Sequence, residues 1–300
     1  METPTAAVVG QLARDLVLQV GEAPGPGAAA DARDRLEMLG GKGANQAVAL
    51  AQLGVRPALV AVAGDDDTGD GLLAQARRDG IDVSAVVRRE GTASGLIVEV
   101  LDAGGQWRYV QHLPEAVLLT EADVRAAKDV LSTADAVLVQ LQQPPAAALA
   151  AARIAAGAGR LVVLDGAPPE SHRTDLLAVC DVLRADAHEA ELLLGTPADD
   201  PDAIREAATG LLAAGPSLVA VALADSNLFV WRDGTVSVPL TGDEVVDTTG
   251  GGDAFVAALT AALLRGHGYA EAACHAVAAS GATVGHAGGR PDLSGTAARG

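Results

Sequence analysis

The sequence predicts a doubly wound α/β fold, in which helices flank a mostly parallel sheet and a small β-sheet lid is attached. Short runs of Val, Leu and Ala, bounded by Gly, Pro or Asp, recur along the 300 residues, and Ala- and Leu-rich helical patterns separate them. This alternation is typical of βαβ units and a parallel sheet. Two stretches with hairpin character interrupt the alternation, and they predict the lid.

The core elements follow one another in chain order. The predicted strands are 6–10, 58–63, 136–141, 161–164 and 218–223, and the predicted helices are 43–53, 69–78, 122–131, 146–156 and 203–213. Each strand run is short and continuously apolar, as expected for a strand that is buried on both faces. The helical stretches consist largely of Ala and Leu, which are strong helix formers.

Two further pairs of segments predict the lid. Segments 15–20 and 35–39 have the pattern of short strands, and segments 95–101 and 107–112 flank the turn sequence DAGGQ at 102–106. Such a sheet closes over a ligand, pairs with a second subunit, or forms surface hairpins without either role. The predicted division of the chain is a core of residues 1–14, 40–94 and 114–300 and a lid of residues 15–39 and 95–113.

Composition limits the classes of partner. Hydrophobic residues make up 49% of the chain but aromatic residues only 2%, so Ala, Val and Leu must fill the core. The net charge of −18 disfavours nucleic acid and anionic membranes as partners. An anionic ligand must therefore be held by metal ions, backbone N–H groups and a few cations. The six histidines show no metal-ligand spacing, no apolar stretch is long enough to cross a bilayer, and we expect a cytoplasmic location.

The segment VVDTTGGGDAF at 245–255 carries the clearest chemistry. Gly250, Gly251 and Gly252 precede an apolar helical pattern, so their N–H groups and the positive end of the helix dipole are expected to form an anion hole. Asp253 lies in the first helical turn, where these donors are expected to keep its carboxylate ionised. It can then accept the proton of a hydroxyl that attacks a phosphoryl group.

A nucleotide loop of the methyltransferase type is the alternative interpretation of this segment. That loop normally follows the first strand of its fold. Fewer than a sixth of the 300 residues follow Asp253, which is too few to build such a domain.

The segment LGGKGANQAVALAQLG at 39–54 supplies a second candidate site. Lys42, Gly43 and Asn45 open a predicted helix, where an ammonium group, an amide and backbone donors suit a polyhydroxylated ligand. Gly rather than Ser or Thr follows Lys42, so the segment is not a Walker loop. Taken alone, the segment favours an ordinary Gly-rich helix start with a solvated lysine.

Together, GGKGANQ at 40–46 and DTTGGGD at 247–253 resemble the two signature regions of the ribokinase-like (PfkB) carbohydrate kinases. Their order, their separation and the interrupted lid agree with that family. The resemblance implies an α/β core with a β-sheet lid and transfer of a phosphoryl group from ATP to a primary hydroxyl of a sugar or sugar-like molecule. It also implies ATP and Mg²⁺ as cofactors, frequent activation by K⁺, and a homodimer formed through the lid.

The resemblance also assigns roles to individual residues. It makes Asp253 the general base and Gly250, Gly251 and Gly252 the anion hole. The substrate-binding positions that it implies are Asp15, Gly41, Lys42, Asn45, Gln142 and Asp253. The positions implied for the nucleotide and Mg²⁺ are Asp186, Glu189, Ala222, Ala224, Asn227, Gly252 and His275. Asp247 and Thr249, with backbone carbonyls of 283–292, match the monovalent-cation site.

Several positions depart from the family pattern. Ala13 replaces an Asn that ribokinases carry before their sugar-binding Asp, and Gln142 replaces a Glu. The nucleotide loop at 222–227 lacks two of the family's glycines, which permits a changed nucleotide preference. A nucleoside kinase and a catalytically silent sugar-binding or regulatory homologue are therefore the alternatives to a sugar kinase.

Overall fold

A central sheet of eight strands organises the computed structural model, which describes residues 2–196, 200–241 and 245–293. The strands are β1 Thr5–Val9, β2 Ala13–Val20, β3 Ala32–Gly40, β4 Arg56–Val60, β5 Val62–Gly64, β6 Val87–Arg89, β7 Gly95–Leu101, β8 Trp107–His112, β9 Ala136–Gln140, β10 Leu161–Asp165, β11 Val182–Ala185, β12 Leu218–Ala222, β13 Ser226–Trp231 and β14 Gly234–Pro239. The helices are α1 Lys42–Gln52, α2 Asp67–Arg78, α3 Glu121–Ala126, α4 Lys128–Thr133, α5 Pro145–Gly157, α6 Arg173–Leu177, α7 Ala187–Leu194, α8 Pro201–Leu211, α9 Gly251–Leu264 and α10 Tyr269–Thr283.

The strand order of the central sheet is β14-β13-β12-β11-β10-β9-β1-β4. The pairs from β4 to β12 are parallel, whereas β12, β13 and β14 pair antiparallel. Parallel strands place their carboxyl ends at one edge of the sheet, where ligands of α/β proteins bind. The predicted α/β class, with its mostly parallel sheet, is confirmed.

Helices cover both faces of this sheet. Along β1, Ala6 and Val8 pack into the cluster that contains α1, α9 and α10, and Ala7 and Val9 pack into the cluster under α3 and α5. Alternate residues of a strand point to opposite faces, so a strand buried on both faces must be apolar throughout. Small residues dominate the helices, which allows α9 to pack closely against both α1 and α10.

A second sheet of four strands has the order β3-β2-β7-β8 and corresponds to the predicted lid. Its hairpin β7–β8 is fixed by Asp102, whose Oδ1 accepts hydrogen bonds from the N–H groups of Gly104 (2.9 Å) and Gln106 (3.0 Å). This side-chain bond explains why the DAGGQ sequence turns here. The division of the chain into core and lid units stays a prediction, and residues 294–300 of the predicted core lie outside the described residues.

Two predicted elements are split. The predicted strand 58–63 ends at Val60 as β4, and β5 leaves the central sheet to pair with β6. The predicted helix 122–131 breaks at Ala127, whose φ of −85° and ψ of 12° depart from α-helical values. None of the described helices combines the length and hydropathy that a bilayer crossing requires.

Candidate active site

Gly250 starts helix α9 in a backbone conformation that few other residues adopt. Its φ is 74°, and a Cβ atom at this position would lie 1.9 Å from the carbonyl oxygen of Gly289. The glycine therefore allows the chain to turn sharply against the loop that follows α10. The turn leaves the first N–H groups of α9 without helical acceptors, as at every helix start, so they are available to an anion.

Asp253 lies in the first turn of α9 and is only 5% exposed. Two amides of α1 hold its carboxylate, because Asn45 Nδ2 donates to Oδ2 (3.3 Å) and Gln46 Nε2 donates to Oδ1 (3.2 Å). The same Gln46 Nε2 also donates to Asp165 Oδ2 at 2.8 Å. The packing of α1 on α9 thus fixes the orientation of the predicted base.

Burial raises the pKa of Asp253 to about 7, with Asp165 adding to the effect, while Lys42 and the two amides act in the opposite direction. The sequence-based expectation was that helix donors keep this carboxylate ionised, whereas burial here favours its protonated form. Loss of hydration outweighs Lys42 and the two amides in this position. A carboxylate with a pKa near 7 accepts a proton more readily than an ordinary aspartate does.

Arg184, on β11, lies beside the anion hole. Its side chain is only 11% exposed and forms an ion pair with Asp165 (Nη1 to Oδ1, 3.0 Å). The guanidinium also stacks over the ring of Phe255, 5.7 Å from its centroid. Burial disfavours its charge, but Asp165, Glu189 and Asp186 outweigh this and raise the pKa of Arg184. A permanent positive charge therefore borders the start of α9.

A cavity of about 530 Å³ connects these groups with the inner face of the lid. It brings together ten of the predicted site residues: Asp15, Gly41, Lys42, Asn45, Gln142, Asp186, Thr249, Gly250, Gly252 and Asp253. The lid contributes aromatic and acidic side chains to the same cavity, including Trp107, Tyr109 and Glu99. The cavity therefore combines the glycine-rich start of α9, a buried carboxylate and a polar chamber under the lid.

Asp15 and Glu99 form the acidic part of that chamber. Gly40 makes room for the carboxyl group of Asp15, because a Cβ on Gly40 would lie 1.9 Å from Asp15 Cγ. Burial, together with Asp253, raises the pKa of Asp15 to about 7, and burial together with Asp247 raises the pKa of Glu99 to about 7. Asp15 Oδ1 and Glu99 Oε1 are buried without a hydrogen-bond partner among the described residues. Both atoms are available to donors of a ligand.

Comparison with known protein families identifies the family to which the chain belongs. The model of the pfkB family of carbohydrate kinases matches residues 3–295. The chain belongs to this carbohydrate kinase family. Its members are phosphotransferases, and the chain is accordingly a kinase.

Curated and structural relatives agree with the family. The chain is 29% identical to a ribokinase of Haemophilus influenzae over 282 residues, which cover 93% of this chain and 92% of that protein. It is 29% identical to a ribokinase of Mus musculus, covering 86% and 81% of the two chains. The structure of Arabidopsis thaliana ribokinase complexed with ribose and ATP superimposes with a TM-score of 0.80 at 26% identity, covering 97% and 96%.

Asp247 and Thr249 are the residues predicted to bind a monovalent cation. Asp247 Oδ1 accepts from the N–H (2.9 Å) and the hydroxyl (2.6 Å) of Thr249, and Oδ2 accepts from the N–H of Gly288 (2.7 Å). Tyr109 contacts the Thr249 hydroxyl and also hydrogen bonds to Glu99 (3.3 Å). The Asp247 carboxylate and the Thr249 hydroxyl thus lie together, and backbone N–H groups hold the carboxylate in place. Their role as ligands of a monovalent cation stays a prediction.

Asp186 and Glu189 cap helix α7 reciprocally. Glu189 N–H donates to Asp186 Oδ1 (2.8 Å), and Asp186 N–H donates to Glu189 Oε2 (2.9 Å). Burial, together with Asp165, raises the pKa of Glu189. This capping box fixes both carboxylates beside Arg184, on the side of the cavity where a metal–phosphate group is expected.

Seven predicted residues do not line this cavity: Gly251, Asp247, Glu189, Ala222, Ala224, Asn227 and His275. Gly251 packs instead against α10, where a Cβ would lie 2.8 Å from Val284. Ala222 and Asn227 pair across a tight β12–β13 hairpin, closed by a bond from Leu223 N–H to the Ser226 carbonyl (2.8 Å). The role of these residues in nucleotide binding stays a prediction.

His275 lies away from the cavity. Its ring is 5.1 Å from that of His267, which follows the carboxyl end of α9, whereas Asp253 lies at the opposite end of that helix. The structure therefore separates His275 from the other predicted nucleotide-binding residues.

Sequence reasoning missed the groups that support the base. Gln46, Asp165 and Arg184 form a chain of contacts to Asp253. Gln46 ends the GGKGANQ segment but was assigned no role, and Asp165 and Arg184 lie within or beside mainly apolar stretches. The only available signal was polar character at otherwise apolar positions, as in the β10 sequence LVVLD and the β11 sequence VLRA. A buried polar residue requires a partner, and this requirement marks such positions for attention.

Proposed function

We propose that this kinase transfers the γ-phosphoryl group of ATP to a primary hydroxyl of a sugar or sugar-like acceptor. Asp253 acts as the general base, and Gly250, Gly251 and Gly252 form the anion hole. The observation that carries the proposal is the position of Asp253, which is buried in the first turn of α9 and borders a cavity shared with Asp15 and Arg184. The pfkB family match supports the same chemistry.

Asp253 removes the proton of the acceptor hydroxyl as the oxygen attacks phosphorus. Its pKa of about 7 allows it to be ionised in a large fraction of molecules at neutral pH and still basic enough to take the proton. Asn45 and Gln46 orient the carboxylate, and Lys42 stabilises its charge. The base is thus held in place before the acceptor arrives.

Positive groups at the start of α9 stabilise the charge of the migrating phosphoryl group. ATP and Mg²⁺ supply that group and neutralise much of its charge when they are bound. The cradle fits such a ligand, because glycine leaves the backbone donors accessible and Arg184 adds a charged fork beside Gly252. Asp186 and Glu189 are the residues that would hold Mg²⁺ through its water shell.

The acceptor occupies the chamber under the lid. Asp15 and Asn45 offer acceptor and donor atoms to hydroxyl groups, and Gly41, Lys42 and Gln142 line the same chamber. The proposed lid would close over the acceptor and exclude water.

We further propose that K⁺ binds beside Asp247 and Thr249, and that two chains associate through the exposed strand β8.

One observation favours a nucleoside acceptor as the second candidate. The chain has only six Trp, Tyr and Phe residues, yet Trp107 and Tyr109 stand together at the cavity, with ring centroids 4.6 Å apart. Their exposures of 44% and 36% leave ring surface for stacking on a base. Glu99 Oε1 lacks a partner among the described atoms and could accept from an exocyclic amine.

ADP formation with a panel of pentoses, hexoses and nucleosides tests these proposals. We expect at least one acceptor to stimulate ADP formation in the wild type, and Asp253→Asn to abolish that stimulation. Asp233→Asn, an exposed aspartate of the β13–β14 turn, is the matched control and should retain full activity. Acceptor binding without any turnover would support the silent homologue instead. Trp107→Ala should raise KM for nucleosides and leave KM for pentoses unchanged if the second candidate is right.

A further inference from the structure

Three side chains converge at the junction of α9 and α10, far from the kinase cavity. One ligand atom each from His267, Glu271 and His275 lies within 4.8 Å of the other two. All three side chains reach solvent, so an ion can enter. We propose that they form a binding site for a single divalent transition-metal ion, with Zn²⁺ as the reference ligand.

The backbone brings these residues together. His267 lies in the short connection between the helices, where its N–H donates to the carbonyl of Ala262 at 3.2 Å. Glu271 and His275 are four residues apart on α10 and therefore share one face of that helix. His267 Nδ1 already contacts Glu271 Oε1 at 2.8 Å, and the two imidazole rings meet edge to face, 5.1 Å between centroids.

The separations suit a tetrahedral ion after small side-chain rotations. Zinc bonds of about 2.0–2.1 Å to nitrogen and oxygen place neighbouring ligands roughly 3.3–3.4 Å apart. The three ligand atoms now lie within 4.8 Å of one another. Rotation of surface side chains would bring them to the separation that zinc requires. Three protein ligands leave the fourth position to water.

The donor types select the metal. Two imidazoles with one carboxylate favour Zn²⁺, Ni²⁺ or Cu²⁺, whereas Mg²⁺ prefers an all-oxygen shell. The site therefore does not compete for the Mg²⁺ that a kinase uses. The negative charge of Glu271 and the carboxyl end of α9, whose dipole favours a cation, both support binding.

The location defines what the ion does. Helix α9 has 14 residues, so its end lies about 20 Å from Gly251, where the anion hole begins. An ion at this junction links the connection after α9 to the second turn of α10 and so holds the two packed helices together. Metal binding should therefore stabilise the folded chain without supplying a group to the reaction.

Titration of the nucleotide-free protein tests the site. Calorimetry with Zn²⁺ and visible absorption with Co²⁺ should give one ion per chain and a tetrahedral cobalt spectrum for the wild type. The melting temperature should rise with Zn²⁺ concentration. We expect His267→Ala/His275→Ala to weaken Zn²⁺ binding at least 100-fold and to lose the Zn²⁺-dependent rise, and Glu271→Gln to weaken it less.

His172→Ala is the matched control, because His172 lies outside the cluster and its side chain hydrogen bonds only to Ser171 among the described contacts. It should bind Zn²⁺ as the wild type does, and circular dichroism should show that every variant is folded. The proposal is overturned if the double variant keeps the wild-type affinity, if His172→Ala loses as much affinity, or if the wild type binds no stoichiometric Zn²⁺ or Co²⁺.

Discussion

Arg184 lies directly over Gly252, so closely that a Cβ atom on residue 252 would be 2.7 Å from Nη2 of the arginine. Because Gly252 has no side chain, it leaves the space that the guanidinium occupies at the start of α9. Asp165 and the ring of Phe255 hold that guanidinium from the other sides. The relationship links a glycine of the family signature to an arginine that no signature predicts.

Gly252→Ala should therefore displace Arg184 and lower kcat by about 10²–10³, the usual cost of losing one preorganised donor to a developing negative charge. Arg184→Met should lower kcat to a similar extent, while Arg184→Lys should restore part of it. Steady-state kinetics with the best acceptor measures both effects. Unchanged kcat in folded Arg184→Met would mean that the guanidinium only supports Asp165.

The pKa of Asp253 predicts the pH dependence of the reaction. Because the free enzyme must carry this carboxylate ionised, kcat/KM should fall as the pH drops below about 7. Gln46→Leu removes a hydrogen bond that stabilises the carboxylate, and it should move this acidic limb to higher pH. A limb that stays in place in Gln46→Leu would indicate that another group controls the profile.

The same pKa predicts a stability effect with the opposite sign to that of an ordinary salt-bridged aspartate. The folded-state pKa is raised above the ordinary value of 3.8, so the folded chain holds the proton more strongly, and stability falls as pH rises from about 4 to about 7. Asp253→Asn removes this penalty and should stabilise the protein at pH 8 by on the order of 2–4 kcal/mol. Urea unfolding at pH 8 and pH 4 measures it, and the gain should shrink at the lower pH.

Gly250→Ala should damage both fold and function. The φ of 74° strains any other residue, and the new Cβ would collide with the carbonyl of Gly289. We expect a loss of more than about 2 kcal/mol of unfolding free energy, together with loss of activity, because the loop at 284–293 must move. Gly157→Ala provides the control, since a Cβ there meets open space and should cost little.

Much of the fold was predictable from local patterns. The apolar runs located five of the six parallel strands, because a parallel strand buried on both faces is mostly apolar. Strand β11, which carries Arg184, was missed. The hairpin β7–β8 followed from the turn sequence at 102–106, in which the Asp102 side chain closes the turn. The breaks at Ala61 and Ala127 were not predictable, because the apolar run continues through Ala61, the helical pattern continues through Ala127, and only tertiary packing interrupts these elements.

The sequence by itself determined the proposed anion hole and its aspartate, because the glycines, the helix start and Asp253 are neighbours in the chain and local geometry dictates their arrangement. Only the tertiary structure decided the partners of that aspartate. Gln46, Asp165 and Arg184 come from α1, β10 and β11, and the packing of these elements sets both the contacts and the loss of hydration that raises the pKa. Desolvation depends on everything that surrounds a group, and no local pattern records it.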